Sequence, residues 1–252
     1  MIAPLDDADR RCDHVIVAVP ARDESATITD CLRSIDRAAM RVQVPVTITV
    51  AADSCSDDTV DRARSARPAC AELMIVEGSW GRAGAARAAA VDRALRRRVD
   101  LSGTWIANTD ADCVVPPDWL VTQLAMGGSV AAVAGVVGLD PSVTPAPLVA
   151  AFLRSYPVDG DRHDHVHGAN FGLRADAYAA AGGWCTHIVV GEDHALWRAI
   201  RAGEFAVAQT TALRVSTSAR RHSRVDGGFA TDLSRLDCSD VADEMHVTEA
   251  PG

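Results

Sequence analysis

The sequence predicts an α/β domain in which helices cover both faces of a mostly parallel sheet. Apolar runs and amphipathic segments alternate four times in the first part of the chain, an order typical of parallel strands joined by right-handed crossovers. Hydrophobic residues make up 48% of the sequence and aromatic residues only 4%. The core is therefore expected to consist of Ala, Val, Leu and Ile, as in helix-covered parallel sheets.

The predicted elements follow one another closely. Ser25 is expected to cap the first helix, in which Ile28, Leu32 and Ile35 recur at helical spacing and form a core-facing stripe. The predicted strands cover 14–20, 46–51, 72–76, 104–108 and 130–139, and the further helices cover 59–67, 85–98, 116–126, 174–181 and 192–202. A Pro-rich connection is expected over 141–147.

A single domain accounts for most of the 252 residues. We expect an N-terminal tail at 1–13, a domain at 14–236 and a polar, acidic C-terminal tail at 237–252. Within the domain, residues 14–115 form the half with the β–α alternation, and residues 116–236 form a less regular half.

Charge and composition exclude several classes of partner. The net charge of -9 argues against nucleic acid or an anionic membrane as the main partner. The start of the chain is acidic and polar, unlike a secretion signal, and the seven cysteines contain no C-x-x-C pair. The longest apolar stretch, 130–139, is shorter than the ~18 residues that a transmembrane helix needs. A cytoplasmic protein without a transmembrane segment is expected.

Polar segments follow all four of the first strands: PARDE, ADSCSDD, GSWGRAG and TDAD. Parallel strands bring their carboxyl ends to one edge of the sheet, where ligands bind. Asp110 and Asp112 of TDAD are one residue apart, so both can face one hard cation, Mg²⁺ or Mn²⁺. A single D-x-D is also compatible with an ordinary turn or helix cap.

Six segments together carry a family resemblance. In order they are VAVPARDESATITDCLRSI, VAADSCSDDT, GRAGAAR, TDAD, HGANFGLRADAYAAAGGW and VGEDHALWRAIRAG. This series resembles family 2 glycosyltransferases of the GT-A fold over nearly all of residues 14–230. In the first segment Pro20 and Glu24 match the family pattern, whereas Asp23 stands where Asn is usual.

The resemblance implies a nucleotide-sugar donor, with a UDP-sugar favoured, and a divalent metal, Mg²⁺ or Mn²⁺. Asp53 would bind the base, Glu24 the ribose, and Arg87 would lie near the diphosphate. The full set implied for the donor is Pro20, Ala21, Arg22, Glu24, Asp53, Gly84, Arg87, Asp110 and Ala111, and the metal ligands would be Asp112, Asp110 and His222. Considered singly, Asp53 and Asp57 could instead cap a helix, Glu24 could begin one, and Arg87 could be solvated.

The second half supplies the acceptor side of the predicted site. Asp193, with Glu192 beside it, is the candidate base for an acceptor hydroxyl, although two acids at a helix start also stabilise the helix dipole. Gly182 and Gly183 predict a tight turn under the donor sugar. Trp184 could stack on a sugar ring or pack in the core.

The histidines leave more than one interpretation open. His163, His165 and His167 alternate and would share a face of an extended segment, where they could bind metal. We expect His167 to neighbour the acceptor or the diphosphate, and the other two to be surface residues. The basic segment 217–224 could close over the diphosphate with His222 as metal ligand, or be a solvated loop.

Three alternatives to an inverting transferase accompany these expectations. A retaining GT-A transferase of the glucosyl- or mannosyl-glycerate type shares the first four motifs and needs no base opposite the leaving group. A sugar nucleotidyltransferase is disfavoured because PARDESA contains no glycine. A GT-A domain that binds nucleotide without turnover is disfavoured by the retained acids Asp110, Asp112 and Asp193. The acceptor is not identified by any motif, and a soluble one is favoured.

Overall fold

The computed structural model describes residues 12–98 and 100–217. The strands are β1 (His14–Ala21), β2 (Val46–Asp53), β3 (Glu72–Gly78), β4 (Thr104–Asn108), β5 (Cys113–Val114), β6 (Ala132–Leu139), β7 (Phe171–Arg174) and β8 (Val207–Thr217). The helices are α1 (Ile28–Ala39), α2 (Thr59–Ala66), α3 (Ala83–Leu95), α4 (Trp119–Gly127), α5 (Ala146–Ser155), α6 (Ala175–Ala180) and α7 (Glu192–Ala202).

All eight strands form one sheet, in the order β3-β2-β1-β4-β7-β6-β8-β5. Strands β1 to β4 pair in parallel, and β6 pairs in parallel with β8. Strand β7 lies antiparallel between β4 and β6, and the short β5 lies antiparallel to β8. The predicted α/β fold is confirmed, and the sheet is mixed because two short antiparallel strands enter its second half.

Helices cover both faces of the sheet because strand residues alternate between the faces. Val15 and Val17 pack with the residues of α1 and α4, whereas Ala18 packs with α3, α6 and α7. The predicted stripe Ile28, Leu32 and Ile35 is completely buried. On the other face, α3 contributes mainly alanines, whose small side chains let this helix approach β1 and β2 closely.

Two local predictions were wrong. Ser25 does not cap α1, which begins at Ile28 after Thr27; the Ser25 N–H instead donates to Asp57 at 3.1 Å. The Pro-rich connection ends sooner than expected, because α5 starts at Ala146 with Pro147 in its first turn. Proline is tolerated there because a first-turn N–H has no partner within the helix.

Strand β7 was not predicted, and a buried asparagine ties it to the rest of the sheet. A 3-10 turn, Gly168–Asn170, leads into β7. The Asn170 amide donates to the carbonyls of Val136 and Leu213, at 2.9 Å each, and its oxygen accepts the indole N–H of Trp119. These bonds lie at the register shift between β6 and β8, where ladder bonds are interrupted.

No described helix combines the length and the apolar composition needed to cross a bilayer.

We expect Asn170→Asp to lower the free energy of unfolding by about 2–4 kcal/mol, because a carboxylate cannot donate to the two carbonyls. Denaturant unfolding followed by circular dichroism measures the change. Gln43→Glu makes the same amide-to-acid exchange at an exposed position and should change stability little. Equal stabilities for the two variants would contradict the role of Asn170.

Candidate functional site

The polar loops after β1 and β2 lie against each other, as predicted, and hydrogen bonds connect them. Asp23 adopts a left-handed backbone (φ 50°), which Asp and Asn tolerate better than most residues. Its carboxylate accepts the N–H and the hydroxyl of Ser56, at 2.7 and 3.0 Å. The Glu24 N–H donates to the Thr59 hydroxyl oxygen at 2.6 Å, and that hydroxyl donates to Asp57.

Asp57 and Glu24 both support the start of a helix, as the alternative interpretations allowed. Asp57 accepts the N–H of Thr59, the first residue of α2, at 2.9 Å. Burial raises the pKa of Asp57, but hydrogen bonds from Thr59 and Ser25 outweigh it and hold the pKa below its ordinary value. The carbonyl of Glu24 accepts the N–H of Ile28 at 2.9 Å. A contact of Glu24 with ribose stays a prediction.

Asp53 lies at the end of β2 and does not cap α2. Only 4% of it is exposed, and its carboxylate accepts main-chain N–H groups of the loop between β3 and α3. The distances are 2.6 Å from Trp80, and 3.0 and 2.8 Å from Gly81 to the two oxygens. Asp53 therefore positions this loop, and its proposed contact with a base stays a prediction.

A buried arginine connects the two halves of the site. Arg87 lies in the second turn of α3 and is 4% exposed. Its guanidinium donates to Asp110 at 2.5 Å and to Glu192 at 2.6 Å. Burial alone would lower the pKa of Arg87, but Asp110, Glu192 and Asp193 raise it above its ordinary value. Arg87 is thus neither a solvated helix residue nor open to solvent.

Small residues make room for this ion-pair cluster. A Cβ on Gly168 would lie 2.4 Å from the Arg87 Cζ atom, so only glycine fits against the guanidinium. A Cβ on Gly84 would meet the Cys185 carbonyl at 2.6 Å and Glu192 Cγ at 3.0 Å. Gly84, implied as a donor-binding residue, is therefore buried against Cys185 and Glu192 of the second half of the chain.

Asp110 and Asp112 form a group that could hold a metal ion. Their carboxylate oxygens and the Cys113 sulfur lie within 4.8 Å of one another. The Cys113 thiol is buried, which raises its pKa well above the ordinary value, with the charges of Asp112 and Asp110 adding to the effect. The two carboxylates offer oxygen ligands, which fit a hard cation such as Mg²⁺ or Mn²⁺.

The candidate base lies at the start of α7. Gly191 has a left-handed backbone (φ 87°), and Glu192 and Asp193 follow it in the first turn. Glu192 faces Arg87, whereas Asp193 is half-buried and accepts the Gly168 N–H at 3.0 Å and the His194 N–H at 2.7 Å. The two acids therefore have different surroundings, and only Glu192 forms the ion pair.

The turn before α7 agrees with part of the sequence prediction. Gly182 and Gly183 have φ angles of 83° and 75°, the left-handed backbone of a tight turn. Trp184 belongs to the core: it is 3% exposed, meets Phe171 edge to face, and lies 5.2 Å from the Arg87 Cζ atom. Because Arg87 and core residues surround the Trp184 ring, the structure agrees with the interpretation that this side chain packs in the core.

The three alternating histidines share a face, as predicted, and their rings stack. Neighbouring rings from His163 to His167 are 5.7 Å apart, and His165 stacks on Tyr156 at 3.6 Å. His163 was expected at the surface, but it is only 8% exposed. Asp161 draws this segment inwards, because it accepts hydrogen bonds from Thr210 and Thr211 of β8. Stacked rings do not converge on one point, and no metal group among the described residues includes them.

The remaining predicted residues differ in exposure. Pro20 is half-buried, Ala21 and Ala111 are buried, and Arg22 is exposed at the end of β1. His222 and the rest of 218–224 lie outside the described residues, as do most of the two tails.

Sequence reasoning missed two residues of the site. Gly168 lies in a segment quoted for the family resemblance, but its contact with Arg87 depends on how the two halves pack. Tyr156, whose hydroxyl lies 2.9 Å from His167 Nε2, follows a helix that was not predicted. The local sequence around Gly168 or Tyr156 does not indicate a role in the site, because each residue acts through a contact with a residue elsewhere in the chain.

We expect Arg87→Met to lower the free energy of unfolding by about 3 kcal/mol, because it leaves two carboxylates without their cation. This lies at the low end for a broken buried pair, since Asp110 is 36% exposed. Arg96→Met, at the exposed end of the same helix, is the matched control. Chemical denaturation measures the free energy of unfolding of both variants. Equal losses of stability in Arg87→Met and Arg96→Met would show that Arg87 does not hold the cluster together.

Several solved structures with a similar fold are complexes with a nucleotide or a nucleotide sugar. A mannosyltransferase from Pyrobaculum calidifontis, in complex with GDP-Man and Mn²⁺, has a TM-score of 0.60 at 19% identity, over 99% of this chain and 68% of that one. TarS from S. aureus, in complex with UDP-GlcNAc, has a TM-score of 0.61 at 12% identity, over 91% and 66%. This chain thus spans about two thirds of their lengths.

A third similar structure is glucosyl-3-phosphoglycerate synthase from Mycobacterium tuberculosis, in complex with Mn²⁺, UDP and phosphoglyceric acid. Its TM-score is 0.51 at 18% identity, over 98% of this chain and 81% of that one. At these identities the likeness concerns the fold. No curated protein sequence matches the chain significantly.

The sequence of the first half carries the family assignment. The family model described as "Glycosyl transferase family 2" matches residues 16–136, which run from β1 into β6 and include Asp53, Arg87 and the D-x-D. The match ends before Glu192 and Asp193. Residues 16–136 thus match glycosyl transferase family 2, and the chain shares its fold with solved nucleotide-sugar transferases.

Proposed function

We propose that the protein transfers a sugar from a nucleotide diphosphate to an acceptor hydroxyl, and that the transfer depends on a divalent metal. The observation that carries the proposal is the cluster around Arg87, in which the D-x-D of the donor half and the Glu-Asp pair of the acceptor half meet. The cleft between a donor and an acceptor must bring two such halves together.

The charge of the cluster supports the need for a metal. Among the described residues, Asp110, Glu192 and Asp193 place three carboxylates around one guanidinium, that of Arg87. A nucleotide diphosphate would add further negative charge. A divalent cation held by Asp110 and Asp112 would supply positive charge to the diphosphate, during binding and as it leaves.

The donor would lie across the carboxyl ends of β1 to β4. The nucleoside end fits the loops after β1 and β2, where Pro20, Arg22, Glu24 and Asp53 gather. The fold is shared with enzymes in complex with GDP-Man, UDP-GlcNAc and UDP. A carboxylate such as Asp53 can accept a base N–H, which favours a UDP-sugar.

Asp193 is the base of the proposed reaction. Glu192 is committed to Arg87, whereas Asp193 is half-exposed and its described partners are main-chain N–H groups. The acceptor hydroxyl would give its proton to the Asp193 carboxylate as its oxygen bonds to C1 of the sugar. The bond from C1 to the diphosphate oxygen breaks on the opposite face, and the anomeric configuration inverts.

A retaining transferase is the second candidate. Asp193 uses one oxygen for Gly168 and the other for His194, at the start of its own helix, an arrangement that a purely structural acid would also adopt. The anomeric configuration of the product, measured by NMR, separates the two candidates: inversion supports Asp193 as base and retention supports the alternative.

We expect binding of UDP or GDP to require Mg²⁺ or Mn²⁺ and to weaken about tenfold or more, or by about 1.4 kcal/mol, in Asp112→Asn. Calorimetric titrations with Mn²⁺ and with EDTA measure both effects. Asp30→Asn, on the exposed face of α1, is the control and should bind normally. Equal affinity in EDTA would rule out the metal.

The base-binding role predicts that Asp53→Ala weakens nucleotide binding by about 1–3 kcal/mol, through a lost partner for the base and release of the Trp80–Gly81 loop. Affinities for UDP and for ribose 5-phosphate separate these causes. A loss seen with UDP and absent with ribose 5-phosphate indicates contact with the base. An unchanged UDP affinity would remove Asp53 from the donor site.

Asp193→Asn retains the size of the side chain but accepts no proton, and its NH2 group can replace only one of the two oxygens that accept N–H groups. Transfer should therefore fall by about 10²–10⁴-fold while donor binding changes little. Release of nucleotide from candidate donors measures the rate, and calorimetry measures the affinity. The matched control is Asp92→Asn on the exposed side of α3. A near-normal rate in Asp193→Asn would exclude it as the base.

A further inference from the structure

We propose that Tyr156 is a positioning residue: its hydroxyl holds His167 in the tautomer with the hydrogen on Nδ1, and so keeps an uncharged ring beside the base Asp193. The inference rests on the proposed function only in giving Asp193 the role of base. The tautomer itself follows from the hydrogen bonds of Tyr156 and can be tested without substrate.

The hydroxyl of Tyr156 has two described partners. The Val137 N–H donates to the Tyr156 oxygen at 3.1 Å, and His167 Nε2 lies 2.9 Å from the same oxygen. A phenol has one hydrogen to donate. Among the described residues His167 Nε2 is the available acceptor, and giving the hydrogen to it satisfies both groups. Nε2 then carries no hydrogen, which places the hydrogen of the neutral ring on Nδ1.

Packing fixes the orientation of the Tyr156 ring. Tyr156 follows the last residue of α5, and its ring stacks on Phe152 at 4.9 Å and on His165 at 3.6 Å. Helix α5 is in turn anchored by a small core of Leu139, Leu148 and Phe152. The phenol therefore reaches His167 along one direction, which gives the hydrogen bond a defined geometry.

The surroundings of His167 favour the uncharged ring. Burial lowers its pKa to about 4, and the charges of His165 and His194 act in the same direction, against the opposing charges of Asp193 and Asp110. A charged imidazolium beside Asp193 would stabilise the carboxylate and make it a weaker base. A neutral His167 places no positive charge beside this carboxylate.

The main chain links the same segment to the base. Gly168, the next residue, donates its N–H to Asp193 Oδ2 at 3.0 Å. The guanidinium of Arg87 lies close to where a Cβ of Gly168 would be, so this segment packs between Arg87 and Asp193. Tyr156 thus acts on Asp193 through the charge of His167, in the segment whose main chain bonds to the same carboxylate.

Nitrogen NMR of the full chain tests the tautomer directly. Long-range proton–nitrogen spectra of the wild-type protein distinguish a ring nitrogen that carries hydrogen from one that does not, and His167→Asn identifies the signals. We expect hydrogen on Nδ1 and a bare Nε2 from pH 5.5 to 8. Hydrogen on Nε2, or titration of the ring near its ordinary pKa, would overturn the inference without any variant at Tyr156.

Two tyrosine variants show whether Tyr156 is responsible. Tyr156→Phe keeps the stacked ring and removes the hydroxyl, so His167 should populate both tautomers. Tyr178→Phe removes the other tyrosine hydroxyl, which accepts the main-chain N–H of Trp184 in the core, and should leave the His167 signals unchanged. Identical His167 spectra in the wild type and Tyr156→Phe would assign the tautomer to another group.

Activity provides the last readout. With GDP-mannose or UDP-N-acetylglucosamine and Mn²⁺, Tyr156→Phe should hydrolyse the donor about tenfold more slowly, part of the roughly 10²–10⁴-fold that a base contributes, at an unchanged affinity for the nucleotide. A normal rate in Tyr156→Phe would overturn the positioning role alone. If the wild-type protein binds neither nucleotide, the proposed function fails, and the NMR result decides the tautomer separately.

Discussion

The candidate site depends on one buried, positively charged side chain, that of Arg87. Arg87 meets Asp110 of the first half of the chain and Glu192 of the second half, and removing a guanidinium from water costs several kcal/mol unless its partners are well placed. Neighbouring residues hold these two carboxylates close to the guanidinium. Gly84 and Gly168 let the chain come close, and Trp184 lies beside the charge.

Arginine suits this position for a reason that composition alone does not reveal. The planar guanidinium directs separate N–H groups to two carboxylates at once, which an ammonium group could not do with the same geometry. Since one partner follows β4 and the other opens α7, the ion pairs join the first half of the chain to the second. They do so near the place where the sheet changes from parallel to mixed pairing.

The sequence predicted the first half of the fold closely because each strand there is a continuous apolar run followed by a polar loop. It failed where local signals conflict with packing. The prolines near Ala146 indicated a connection although α5 begins there, and the four residues of β7 are too short for a recognisable period. In the site, residue types and order located the acids and Arg87, whereas the burial of His163 and the loop contacts of Asp53 depend on long-range neighbours.

The hydrogen bonds between the loops after β1 and β2 have a consequence for nucleotide selectivity. Asp23 with Ser56, and Glu24 with Thr59, join these loops within the polypeptide itself. A surface ordered in advance loses little conformational entropy when a ligand arrives, which spares about 0.5–1.5 kcal/mol for each side chain already fixed. If these loops hold the base of the proposed donor, differences in affinity between uridine and guanosine nucleotides would report how well each base fits a surface that is already ordered.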